Sequence, residues 1–123
     1  MTYKIAFASS DGEKVDVHFG QAEKFYIAVI DTDKPDFELE GIIHTSASCH
    51  GGGHSESSFE TTVSLLEDVS AVVVQRIGPG AEDFLREHGI RAYQIPLPVE
   101  DAAELIIEDR RWEADKWRYP LKN

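Results

Sequence analysis

At 123 residues, 41% hydrophobic and 28% charged, the chain has room for one domain with an ordinary core and is too apolar for disorder. Twelve basic against 23 acidic residues leave a net charge of −11, which argues against a nucleic-acid partner, since that binding rests on neutralising phosphates. One cysteine permits neither an internal disulfide nor a four-thiolate iron–sulfur centre, and it suits a reducing cytoplasm.

Tyr3 to Ala8 is a short apolar run closed by Ser9-Ser10-Asp11-Gly12, which predicts a strand and a turn. Lys24 to Asp31 is rich in aromatic and β-branched residues and reads as a second strand. Asp31 to Asp36, with Pro35, has turn chemistry, and Phe37 to Thr45 reads as a third strand hairpinned to the second. A helix is predicted over about 56–67, from the capping-box spacing of Ser57 to Glu60 and the stripe Phe59, Val63 and Leu66. Ser70 to Ile77 reads as a buried strand. Gly78-Pro79-Gly80 then opens a helix with Ala81, Phe84 and Leu85 inward and Gly89 as its stop. Arg91 to Ile95 is a fifth strand. Pro96-Leu97-Pro98 leads to a helix over about 99–111, whose first-turn acids Glu100 and Asp101 and last-turn Arg110 and Arg111 match the helix dipole. The longest apolar runs, Phe25 to Ile30 and Ala71 to Val74, are too short to cross a bilayer, and no basic start leads into an apolar secretion signal.

The order β-β-β-α-β-α-β-α predicts an α/β fold: a five-stranded mixed sheet flanked by helices. Right-handed crossovers make strands four and five parallel to strand one. The segments after strands one, three and four then leave from one edge, where open α/β sheets bind ligands. Those segments carry His18, then Cys49-His50-Gly51-Gly52-Gly53-His54, then Gly78-Pro79-Gly80. Thiolate and imidazole are ligands for borderline and soft metals, and three glycines let a backbone curl closely around a bound object. Cys49, His50, His54 and His18 are therefore the candidate metal ligands. Helix N-termini at the same edge favour an anion. His44 reads as a strand side chain and His88 as a favourable charge at a helix C-terminus. Residues 110–123 carry five basic and two acidic residues among Trp112, Trp117 and Tyr119. They read as a solvated tail or a surface for a partner.

Lys4 to Gly12, Val15 to Phe25 with its His18-Phe19-Gly20-Gln21-Ala22 core, and Val72 to Ala81 ahead of His88-Gly89-Ile90 resemble one family. It is the dinitrogenase iron–molybdenum cofactor biosynthesis family, which includes NifX-like and NafY-like carriers and the C-terminal domain of NifB-like proteins. The resemblance implies a ribonuclease H-like domain over residues 1–110, with the basic, Trp-rich tail 111–123 outside it. It implies a cytoplasmic, non-enzymatic carrier that binds the iron–molybdenum cofactor, or an iron–sulfur precursor, as cargo. Its implied partners are the nitrogenase assembly proteins that donate and accept the cluster. It further implies His18, Phe19, Gly20, Gly78 and Gly80 as cofactor-binding residues, with Cys49, His50 and His54 in the family's variable loop. A module for one Zn or Cu ion through Cys49, His50 and His54 is the alternative, and an enzyme with Cys49 as nucleophile the third reading. The first strand lacks the carboxylate that a two-metal nuclease of this fold needs.

Overall fold

The computed structural model describes residues 2–31, 33–45 and 56–109, without the side chains of residues 34, 35 and 56–60. Five strands form one sheet: β1 (Thr2–Ala8), β2 (Lys24–Asp31), β3 (Lys34–His44), β4 (Ala71–Val74) and β5 (Arg91–Gln94). The helices are α1 (Glu56–Leu65), α2 (Pro79–Glu87) and α3 (Val99–Asp109), with a short 3-10 turn at Phe19–Gln21. The strand order is β3-β2-β1-β4-β5. β1, β2 and β3 pair antiparallel, whereas β4 lies parallel to β1 and β5 parallel to β4. This is the mixed α/β sheet the sequence predicts.

Alternation along β1 divides the core. Ala6 and Ala8 face α1 and α2, where they join Phe19, Phe25, Val63, Leu66, Val72 and Leu85. Tyr3, Ile5 and Phe7 face α3, packing with Val73, Val99, Ala102, Ala103 and Ile106. Burial on both faces explains why Ala71–Val74 reads as an unbroken apolar run, each of its four residues being fully covered. Burying one such large side chain contributes about 1.5–3 kcal/mol.

Two boundaries and one cap differ from the sequence reading. β3 begins at Lys34 and takes in Pro35 and Asp36. It can do so as an edge strand, where a missing N–H costs no ladder bond. α1 begins at Glu56, so Ser57 lies inside its first turn, not ahead of it. β4 ends at Val74, not at Ile77. The three residues Gln75, Arg76 and Ile77 leave the ladder, and that departure shapes the site. Among the described residues, no helix is long and apolar enough to cross a membrane.

Candidate functional site

A cleft of about 720 Å³ opens where the segments following β1 and β4 meet the end of β5. His18, Gly20 and Gln21 form one wall, Arg76 to Ala81 the floor and opposite wall, and Gln94 one corner. The topology brings these residues together because β1, β4 and β5 run parallel and all end on the same side.

The His18 wall is held from inside. Phe19 is 2% exposed and its ring packs against Phe25, with centroids 6.0 Å apart. The 3-10 turn closes with the Gln21 N–H donated to the His18 carbonyl at 3.1 Å. With Phe19 turned inward, His18 and Gln21 are exposed on the cleft side. Phe19, a cofactor-binding candidate from the sequence, is thus placed in the core and not on the cleft.

The floor is held from both sides. His18 and Arg76 form a parallel bridge; the Phe19 N–H is donated to the Arg76 carbonyl at 2.9 Å, and the Gln75 N–H to the Val17 carbonyl at 3.0 Å. On the other side, the Ile77 N–H is donated to Gln94 Oε1 at 2.9 Å. Gly78 is the extended N-cap residue of α2, with φ −76° and ψ 157°, and no side chain caps the helix. The ladder of α2 starts with the Glu82 N–H bonded to the Gly78 carbonyl. The N–H groups of Gly80 and Ala81 come before it and have no acceptor within the helix.

Glycine is not required at Gly78 or Gly80 by the protein itself. A Cβ at either position would meet nothing within 4 Å. The positive-φ glycines of the described residues are Gly12 and Gly89. Gly89 ends α2, as the sequence predicts. The missing side chains at Gly78 and Gly80 instead leave the cleft floor open for close approach to the backbone.

The electrostatics are one-sided. In a chain of net charge −11, the cleft lining among the described residues contains no carboxylate, but it does contain the Arg76 guanidinium and the His18 imidazole. Unbonded amides at the start of α2 add the positive end of a helix dipole. Such a lining can hold an anion and can offer it one imidazole nitrogen.

Of the sequence-predicted site residues, His18, Gly20, Gly78 and Gly80 line one cleft. Cys49, His50 and His54 lie outside the described residues. The chain enters their loop beside the His18 wall: Thr45 donates its N–H to the Glu23 carbonyl at 2.7 Å and its Oγ1 hydrogen to the Ala22 carbonyl at 2.9 Å. His44 is exposed at the end of β3. His88 sits at the far end of α2, its Nδ1 2.9 Å from the Phe84 carbonyl oxygen. Neither lines the cleft. No group of three or more His, Cys, Asp or Glu among the described residues could hold a metal ion. Sequence reasoning missed Arg76, Gln21 and Gln94. Arg76 left a usable trace, a cation two residues past a buried apolar run in an acidic chain; Gln94 left none.

Residues 1–109 match the family model described as dinitrogenase iron-molybdenum cofactor. The chain is 28% identical over 89 residues to the FeMo cofactor biosynthesis protein NifB of Sinorhizobium fredii, covering 72% of this chain and 18% of that protein. It is 29% identical over 93 residues to the protein NifX of Klebsiella pneumoniae, covering 76% of this chain and 56% of NifX. The chain therefore spans about a fifth of the NifB length and just over half of NifX. Among solved structures, PH0822 superposes with a TM-score of 0.65 at 15% identity, covering 86% of this chain and 91% of that one, a likeness of fold. On the match across residues 1–109, the chain belongs to the dinitrogenase iron-molybdenum cofactor family.

Proposed function

We propose that this protein is a non-enzymatic, cytoplasmic carrier that holds the iron–molybdenum cofactor, or its iron–sulfur precursor, during nitrogenase maturation. The observation that carries the reading is the cleft's charge: in a strongly acidic chain, the described lining carries no carboxylate and brings together Arg76, His18 and free helix amides. An anionic cluster finds a guanidinium partner, amide donors and one imidazole ligand. The open glycine floor admits it against the backbone.

Cys49 is the second ligand in this reading. It follows Thr45, whose hydroxyl is anchored on the Ala22 carbonyl, by four residues in the sequence. His50 and His54 follow in the same loop as further donors. One thiolate and a few imidazoles leave most of a cluster unligated, which suits holding and onward transfer; permanent metal sites close the coordination shell. The assembly proteins that donate and accept the cluster are the partners this requires. In this reading the basic, Trp-rich segment 111–123, which follows the family match at residues 1–109, serves as a surface for one of them. The sheet order, with its antiparallel meander and two parallel strand–helix units, supports a ribonuclease H-like reading of the fold.

The test is anaerobic mixing with isolated iron–molybdenum cofactor and, separately, with its iron–sulfur precursor, each followed by gel filtration and iron and molybdenum analysis. Co-elution that is lost in the His18→Ala, Cys49→Ala double variant supports the carrier. Wild-type protein that emerges from both mixtures free of iron and molybdenum overturns it.

A further inference from the structure

Gln94 is the last residue of β5, paired with Val74 at the end of β4. The main-chain ladder stops one step later, with the Ile95 N–H donated to the Val74 carbonyl. Ile77 lies beyond that limit, yet its N–H is satisfied, because the Gln94 side chain reaches across and accepts it at 2.9 Å. A side chain thus extends the β4–β5 pairing to the residue just before the N-cap Gly78. No capping side chain fixes that turn, and at both Gly78 and Gly80 a Cβ would find open space. Of the contacts holding Ile77 and Gly78 in register with the helix, Gln94 supplies the one from the β5 side.

The same bond settles which way the amide points. An N–H donor at Ile77 demands oxygen at the near position, so Nε2 and its two hydrogens occupy the other. Among the described residues Nε2 has no hydrogen-bond partner, and Gln94 lines the cleft beside Arg76 and Gly78.

We propose that Gln94 is the positioning residue of the cleft, latching the Ile77–Gly80 turn through Oε1 and presenting its Nε2 hydrogens to the bound anion. The latch stands on the structure alone; the contact with the anion rests on the carrier reading.

Two variants separate the roles. Gln94→Met keeps the length and loses both functions. Gln94→Glu keeps an acceptor for the Ile77 N–H but replaces two donors with a carboxylate. Amide hydrogen exchange at Ile77 and binding of isolated iron–molybdenum cofactor are measured on each. In Gln94→Met, Ile77 exchange rises about five-fold or more and cofactor affinity falls about ten-fold. In Gln94→Glu, Ile77 stays protected as in wild type, while affinity falls at least as far. Unchanged Ile77 exchange in Gln94→Met overturns the latch. A Gln94→Glu variant that binds cofactor like wild type overturns the contact with the anion. Wild type that takes up neither cofactor nor precursor removes the carrier reading and the anion contact together, and leaves the latch to be decided by Ile77 exchange.

Discussion

Phe19 donates its backbone N–H to the Arg76 carbonyl at 2.9 Å, so the segment bearing the cleft's imidazole and the one bearing its guanidinium are bonded directly to each other. Phe19 also buries its ring in the core, at 2% exposure. His18 and Phe19 therefore divide the work between neighbouring positions, one exposed on the cleft and the other holding the wall. Phe19→Ala should cost about 3–5 kcal/mol of stability, whereas His18→Ala, at an exposed position, should change stability by no more than about 0.5 kcal/mol. Urea unfolding midpoints check this. Equal losses in the two variants would show that the division does not exist.

Arg76 is exposed and lines the cleft, so in the carrier proposal its side chain serves the ligand and little of the fold depends on it. Charge-assisted hydrogen bonds are worth about 1.5–3 kcal/mol. Arg76→Ala should weaken cofactor binding by about ten-fold or more, with little change in thermal stability. Because the pair is exposed to salt, the difference between wild type and variant should narrow as ionic strength rises. Binding measured at low and high salt reads this directly; a salt-independent difference would point to a change of shape in place of a lost charge.

Gly80 and Gly12 should respond to the same substitution in opposite ways. Gly80 lies in the first turn of α2 with open space around it, so Gly80→Ala should raise stability by about 0.5–1 kcal/mol. The added methyl group occupies the cleft floor, and cofactor affinity should fall. Gly12 has φ +80°, and a Cβ there would stand 2.8 Å from Tyr26 Cε1. Gly12→Ala should destabilise. Thermal melts of both variants test the pair. A Gly80→Ala protein that is more stable and binds as well as wild type would show that the open floor serves no ligand.

The fold was legible because its elements carry local signals. β1, β2 and β4 are runs of apolar and β-branched residues buried on one or both faces, α2 begins on Pro79 and stops at Gly89, and α3 carries the acids Glu100 and Asp101 in its first turn; Arg110 and Arg111, read as its last turn, lie outside the described residues. The candidate site was legible at His18 and Gly20 through the family resemblance and at Gly78-Pro79-Gly80 through its turn chemistry. The rest depends on tertiary contacts. Gln75 to Ile77 follow the apolar run of β4 with no turn residue before Gly78 and so invite extension of the strand. They leave it because Val17 and Phe19 on one side and Gln94 on the other take their hydrogen bonds. Residues at 17–19 and at 94 stand too far from 75–77 in sequence for any local pattern to link them. Pro35 misled for the converse reason: a strong turn signal gives way at a sheet edge, where its missing N–H goes unneeded.

Asp11 makes the acid response of the loop after β1 testable. Its Oδ1 accepts the N–H groups of Glu13 at 2.8 Å and Lys14 at 3.1 Å, and these backbone bonds hold its carboxyl below the ordinary value of 3.8, with the Ser9 hydroxyl adding to the effect. A carboxyl depressed in the folded state stabilises fully above its unfolded value, and that stabilisation is lost as pH falls through the folded value. The loop should thus be intact at pH 5 and loosen only below 3.8. The loop is tied to the start of α3, with the Val99 N–H donated to the Glu13 carbonyl at 2.8 Å and the Val15 N–H to the Leu97 carbonyl at 2.9 Å. Amide resonances of Glu13, Lys14 and Val99 should therefore shift together, with a midpoint below 3.8. Asp11→Asn keeps a neutral oxygen acceptor and removes the titration, so the shared shift should vanish. If it persists with the same midpoint, another carboxylate governs the loop.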